Sequence, residues 1–323
     1  MNAVPSLHIV AGNGVEYMNL ILYSILLIIG LTTEVSAWND FGHMTMGAIA
    51  YEHLTPKVRT TVDALLRLNP LYQEWVAGIA EQDKGKVAFM KAATWPDMIK
   101  TDLRYTNDGN LPNSPDAERN IGYDDKLMHR YWHFIDNPYS SDGTTLPAPD
   151  FPNAQTQIVA FRETLRDPSV SDELRSYDLV WLLHLVGDVH QPLHTITRFN
   201  QRQSKGDKGG NDVRVCVTAT TCDGKLHRFW DDLLGTSEDY KAAIAIAKTL
   251  VPEPNLAAIS DEAIWIEESF LAAKQTAYAT PIGIDEGPYN LTDTYKAAAL
   301  KVAEGRIALA GIRLAHLLNE ALN

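Results

Sequence analysis

The 323-residue chain predicts an all-α fold: a single compact multi-helix domain with long loops and one small β-hairpin. Apolar residues recur at three- and four-residue spacing in Ala- and Leu-rich segments near 43–54, 57–67, 153–167, 173–190, 238–250, 259–278 and 292–321. Only "DVRVCV" (212–217) alternates as a strand does, and it reads as half of a small hairpin. No Pro/Gly/Ser linker, internal repeat or low-complexity block divides the chain, so residues 38–323 form one domain.

The N-terminal segment is set apart from this fold. "LILYSILLIIGL" (20–31) followed by "TTEVSA" reads as a signal peptide cleaved after Ala37, too short for a membrane span of about 20 apolar residues. No Lys or Arg precedes Trp38, unlike the usual positive n-region, and Met18 is an alternative start that would make residues 1–17 an artefact. The processed chain is then secreted or periplasmic. In that compartment Cys216 and Cys222, the two cysteines, are expected to close a small loop by a disulfide.

Between the helices, 103–125, 137–152 and 198–212 are rich in Asp, Asn, Gly, Pro and Ser and read as long loops. Loops of that length in a compact domain are often functional. The formal charge is −13, and removal of Glu16 and Glu34 with the leader leaves it near −11, without the basic footprint of a protein that grips a nucleic-acid backbone by Lys and Arg. Arg198, Arg202, Lys205 and Lys208 in the third loop are the candidates for secondary substrate contact, set against a solvated charged loop.

Chemistry concentrates in "LLHLVGDVHQPLH" (182–194), which puts three histidines and an aspartate in an otherwise apolar stretch. On a helix His184 and Asp188 share one face, while His190 points elsewhere. Pro192 ends the helix near His190 and leaves His194 on a turn that can bring its ring back. Burying an unpaired carboxylate costs several kcal/mol, and a metal removes that cost. "WHFID" adds His133, "LHRFWDDLL" adds His227 and Asp231 at i and i+4, "ATWPDMIK" adds Asp97, and "WNDFGH" adds His43. Each alone has a plainer reading: a satisfied core histidine, a surface pair, a helix cap. Together they offer more N/O ligands than one zinc can use, which implies two or three metals.

In order, Trp38, His43, Asp97, "HFID", H-x3-D-x5-H, "GGN" (209–211) and H-x3-D resemble the trinuclear-zinc nucleases of moulds and plants over essentially the whole processed chain. The resemblance implies three Zn²⁺: one on Asp97, His133, His184 and Asp188; a second on His194, His227 and Asp231; a third on the α-amine and carbonyl of Trp38 with His43 and a shared Asp188. It implies a metal-dependent phosphodiesterase that uses a zinc-bridged hydroxide to cut single-stranded DNA and RNA to 5′-phosphorylated products, with 3′-mononucleotides as a further substrate. Asp97 and Asp188 would be catalytic through the metals, and Lys100 would steady the phosphate, unless it is a solvated surface lysine. Phe134 would stack on a base and Asp136 bond its edge, against the plainer readings of a core aromatic and a turn cap. No obligate protein partner or lasting membrane anchor is expected. The zinc-dependent phospholipases C share much of the ligand pattern and are the rival reading, disfavoured by Asp231 where they resemble one another in having Glu, and by "GGN" ahead of a strand. A non-enzymatic secreted helical zinc protein is the third.

Overall fold

A computed structural model describes Met1 and residues 38–323; the expected leader lies outside the described residues. Of the twelve α-helices among the described residues, ten frame the domain: α1 (Asp40–His53), α2 (Pro56–Leu66), α3 (Lys84–Ala92), α4 (Trp95–Met98), α5 (Ala154–Arg166), α6 (Asp172–Asp188), α7 (Leu226–Asp231), α8 (Tyr240–Ala247), α9 (Glu262–Ala272) and α10 (Asp293–Ala321); the other two are single turns at Tyr72–Trp75 and Pro254–Ala257. The seven periodic segments match α1, α2, α5, α6, α8, α9 and α10 within a few residues, and α3, α4 and α7 have no counterpart among them. Starts are set by side-chain caps. Asn39 accepts from Gly42 N–H, Thr55 caps α2 ahead of Pro56, Asn153 and Thr156 form a reciprocal box on α5, and Ser171 caps α6 with Asp172 and Glu173 in its first turn.

Helix α6 is the axis of the domain. Every residue from Ser176 to Asp188 is buried, as expected for a helix that is apolar nearly all round. Around it pack α2, α4, α5 and α10, while α10 also runs along α1. Helix α6 ends at Asp188, and the chain re-enters a 3₁₀ turn at Pro192–Thr195, which carries His194. His190 faces away, as expected. Its Nδ1 donates to Val186 carbonyl at 2.7 Å, and its Nε2 lies 2.9 Å from Arg313 Nη1 in a buried group with Glu268 and Arg306.

The β-structure is small but exceeds a lone hairpin. β3 (Arg214–Cys216) pairs antiparallel with β4 (Gly224–Lys225), as expected, and Cys216 is disulfide-bonded to Cys222 across the hairpin. β5 (Tyr289–Asn290) joins β3 in parallel. A second, two-stranded ladder pairs β1 (Pro138–Ser140) in parallel with β2 (Thr197–Phe199). Three-residue strands leave too short a pattern to be read from sequence. This ladder fixes the segment after "HFID" against the segment after His194. Among the described residues no helix is long and apolar enough to cross a membrane.

Candidate metal centre

Six elements deliver the candidate ligands. His43 comes from α1, Asp97 from α4, His133 from a 3₁₀ turn (Arg130–His133), His184 and Asp188 from α6, His194 from the turn after it, and His227 with Asp231 from α7. All eight side chains are buried. Three groups, the first two sharing His184, each have their ligand atoms within 4.8 Å of one another: His43, Asp97 and His184; His133, His184 and Asp188; His194, His227 and Asp231.

The first four candidate ligands form a compact polyhedron. His133 Nδ1 lies 2.9 Å from His184 Nε2, 3.1 Å from Asp188 Oδ2 and 3.6 Å from Asp97 Oδ1; His184 Nε2 lies 3.2 Å from Asp188 Oδ2 and 3.6 Å from Asp97 Oδ1. Ligands about 2.0–2.1 Å from a tetrahedral ion stand roughly 3.3–3.4 Å apart, so these edges match a metal-sized hole. His43 completes the wall. Its ring stacks on His184 with centroids 4.0 Å apart, and its Nε2 is 3.3 Å from Asp188 Oδ1. Neither ring nitrogen of His43 has a hydrogen-bond partner, nor have Asp97 Oδ2, Asp188 Oδ1 and His133 Nε2. Of these, His43 Nε2 and Asp188 Oδ1 face one another across the hole, and orphaned buried atoms so placed fit a cation between them.

The second group makes the same point through tautomers. His194 Nδ1 donates to His133 carbonyl and His227 Nδ1 to Gly209 carbonyl, both at 2.7 Å. Each ring therefore turns an Nε2 lone pair inward, and the two Nε2 atoms stand 2.9 Å apart. Two neutral lone pairs repel at that distance, and a shared cation turns the repulsion into coordination. Asp231 completes the group, with Gln191 Nε2 donating to its Oδ1 at 2.7 Å. His184 has the same support, its Nδ1 donating to Ala93 carbonyl at 2.7 Å.

Protonation follows from burial. Desolvation lowers His43 to about 4, His133 to about 3 and His227 to about 3, and it lowers His194 as well. Neutral imidazole is the form that binds metal. Burial opposes charge on His184 too, but Asp188 and Asp97 overcome it and push this ring up to about 10. A divalent ion in the same place takes over that positive charge. Burial drives the Asp231 carboxyl well above the usual range, with no cation among the described side chains of its group to offset it.

A cavity of about 350 Å³ opens on this centre, lined by His133, His194 and His227 together with Phe134 and Asp136. Phe134 is half-buried with part of its surface in the cavity, and so is not a plain core aromatic. Asp136 caps no turn of its own: it accepts from Thr197 Oγ1 beside the β1–β2 ladder, and burial raises its pKa to about 6. Lys100 is no solvated lysine. It is 5% exposed, lines the cavity, and its Nζ lies 2.6 Å from Asp97 Oδ1. Asp97 is not a helix cap either, since its carboxylate faces His133 and His184 from inside α4. The His227–Asp231 pair is buried, with Nε2 and Oδ2 3.8 Å apart.

Trp38 is wholly buried, and the next residue ties the start of the domain to α7. Asn39 N–H donates to Asp231 carbonyl at 3.3 Å, and its side chain donates to Asp232 Oδ1 at 2.8 Å and Gly235 carbonyl at 2.7 Å. Sequence reasoning did not find Gln191, Thr197 or Asn39 as supports. It also gave no structural reason for "GGN", which is that Gly209 adopts φ +60 and turns its carbonyl to His227. A Cβ there would stand 2.3 Å from Leu193 carbonyl oxygen, so the turn requires glycine. The buried histidines left out of the ligand set each have other partners: His129 stacks on Trp132 at 3.5 Å and pairs with Asp125, and His190 joins Arg313.

A helical shell around buried His and Asp side chains, with a cavity reaching them, defines an enzyme built to work with bound metal. The chain belongs to the S1/P1 nuclease family, whose sequence profile, described as S1/P1 Nuclease, matches residues 38–323. Relatives include Endonuclease 5 of Arabidopsis thaliana, 27% identical over 94% of this chain and 96% of that protein, and Endonuclease 3 of the same plant, 25% identical over 92% and 93%. Nuclease P1 of Penicillium citrinum is 23% identical over 88% of this chain and 97% of its own. The protein is thus a nuclease, which sets aside both the phospholipase and the non-enzymatic readings.

Proposed function

We propose that the processed protein is a secreted or periplasmic endonuclease that cuts single-stranded DNA and RNA to 5′-phosphorylated products and also takes 3′-mononucleotides. Three Zn²⁺ are its cofactors: one on Asp97, His133, His184 and Asp188; one on His194, His227 and Asp231; one on His43, Asp188 and the backbone of Trp38, whose α-amine becomes available on cleavage after Ala37. The observation that carries this reading is the pair of inward-turned Nε2 atoms of His194 and His227, sharing one cavity with His133, Phe134 and Asp136.

Bound zinc supplies positive charge against the anionic oxygens of a phosphodiester and makes a water nucleophile accessible at neutral pH. The chain's own groups do the rest. Phe134 offers a ring face to a base, which requires that base to be unstacked and so favours single strands. Asp136, held by Thr197, presents its carboxyl to the base edge. Lys100 is fixed beside Asp97 with its ammonium at the cavity wall, where negative charge grows on the phosphate in the transition state.

The test is made on protein recovered outside the cell: N-terminal sequencing, metal counting, and release of nucleotides from denatured DNA against release of phosphocholine from lecithin. A chain beginning at Trp38 with close to three zincs, which cuts denatured DNA and loses that activity in Asp188→Asn, is expected. Full activity with residues 1–37 attached would contradict the third site, and lecithin cleavage without nucleotide release would overturn the substrate assignment.

A further inference from the structure

The cavity lining includes a cationic wall of side chains, apart from Lys100, that the base and metal assignments leave unused. Arg130, Lys205 and Lys208 line it, from the 3₁₀ turn that ends at His133 and from the loop that precedes Gly209. In a chain with formal charge −13, three cations gathered on one cavity are a local reversal of sign. Two of them are placed by features of their own segments. Arg130 Nε donates to Asn110 Oδ1 at 3.0 Å, which orients the guanidinium. Lys208 stands at φ +53, a left-handed conformation in which a non-glycine residue costs about 1 kcal/mol or more. The turn that bears this strain leads directly into Gly209, whose carbonyl holds His227. Position 208 thus carries an ammonium at the cavity where glycine would relieve the backbone. The partner of Lys208 is Asp212, at 3.1 Å in an exposed pair that is weak in water and gives way to a stronger anion.

We infer that this wall is a subsite for the 5′-phosphate of the nucleotide whose base lies on Phe134. The inference rests on the nuclease reading above and adds a preference to it. A nucleotide with its base on Phe134 and its 3′-phosphate at the His/Asp centre has one ionic group left, the 5′-phosphate, and the cavity has one cationic wall left. Arg130 grips phosphate as a fork and the lysines as point charges. The site therefore favours cutting after a nucleotide that carries a phosphate on its 5′ side, as every internal nucleotide of a polymer does and the first nucleoside of an unphosphorylated dinucleotide does not.

The experiment compares kcat/KM for a dinucleoside monophosphate, NpN, with its 5′-phosphorylated form, pNpN, using the zinc-loaded protein. The wild type is expected to prefer pNpN roughly tenfold, mostly through KM, and K205Q/K208N to bring the ratio within about twofold of unity. Asparagine is used at 208 because it tolerates left-handed φ. K205R/K208R is expected to keep the preference. Equal rates on the two substrates in the wild type, or an undiminished preference in K205Q/K208N, overturn the subsite and leave the nuclease reading intact. Failure of the wild type to cut either substrate overturns both. Should K205Q/K208N lose all activity, K205R/K208R decides: a retained preference supports the subsite and a lost one refutes it.

Discussion

Gly187→Ala tests the close approach of α1 to α6 on which the metal centre depends. Gly187 directly precedes Asp188, and a methyl group there would stand 2.8 Å from His43 Nδ1, 2.9 Å from its Cε1 and 3.3 Å from Met46 Cε. That is about 0.6 Å short of ordinary contact with the ring. The imidazole has little freedom to shift, because its ring is already stacked on His184 with centroids 4.0 Å apart. Alanine returns up to about 1 kcal/mol of helix propensity, while overpacking a rigid ring costs about 1–3 kcal/mol, so the net change is a loss. A deficit of that size lowers Tm by about 2–8 °C in a domain of this length. On the proposed assignment of His43 as a ligand, zinc content should fall by about one per chain along with Tm, read by metal analysis and calorimetry on the same sample. Gly305→Ala is the control: it lies within α10, a Cβ there meets nothing within 4 Å, and its Tm should rise. If Gly187→Ala kept full zinc and gained Tm as Gly305→Ala does, the claim that His43 is held by steric fit against α6 would be wrong.

Two further substitutions probe other parts of the argument. Gly209→Ala drives a methyl into Leu193 carbonyl and displaces the acceptor of His227, so zinc affinity of the proposed site on His194, His227 and Asp231 and activity should each drop by about 10–100-fold in metal titration and rate assays. Unchanged affinity would show that Gly209 carbonyl does not orient the ring. Asp178 is a buried carboxyl raised to about 7 by desolvation, with Asn120 donating to one oxygen at 2.8 Å and no partner on the other. The folded state then holds a proton that the unfolded chain releases near pH 4, so stability falls as pH rises from about 4 to about 7. Asp178→Asn should remove that slope and stabilise the protein by about 2–4 kcal/mol at pH 8, measured by denaturant unfolding. A variant less stable than the parent at pH 8 would refute the assignment.

The candidate site was more legible in the sequence than the fold around it, for a physical reason. The candidate ligands are His and Asp, which stand out in apolar surroundings, and two pairs that share a helical face were visible as such: His184 and Asp188 on α6, and His227 and Asp231 on α7. Their buried partners were not. Gln191 bonds Asp231 across 40 residues and Thr197 bonds Asp136 across 61, and no local pattern announces a contact between segments so far apart. Lys100 was ambiguous because the spacing Asp97-x-x-Lys100 is the same on an exposed helix as on a buried one; its burial is decided by what packs over α4. The β1–β2 ladder escaped because three residues cannot display alternation, and α3 because "KGKVAFMKA" mixes lysines with its apolar positions. Conversely, the long loops were recognised by composition, and two of them supply Lys205, Lys208 and Asn110 to the cavity.

The bonds of Asn39 to the end of α7 and beyond join residues up to 196 positions apart, and α1 lies along the last helix of the chain. A ribosome releases α1 long before α7, α8 and α10 exist. Helix α3 covers part of α1 early, but the faces that meet α8 and α10 stay open until those helices emerge, and a nascent chain of this kind depends on chaperones or on delayed collapse. Truncation by even the last helix should therefore yield an insoluble product instead of a partly active one, and the nuclease gains its chemistry only after synthesis is finished.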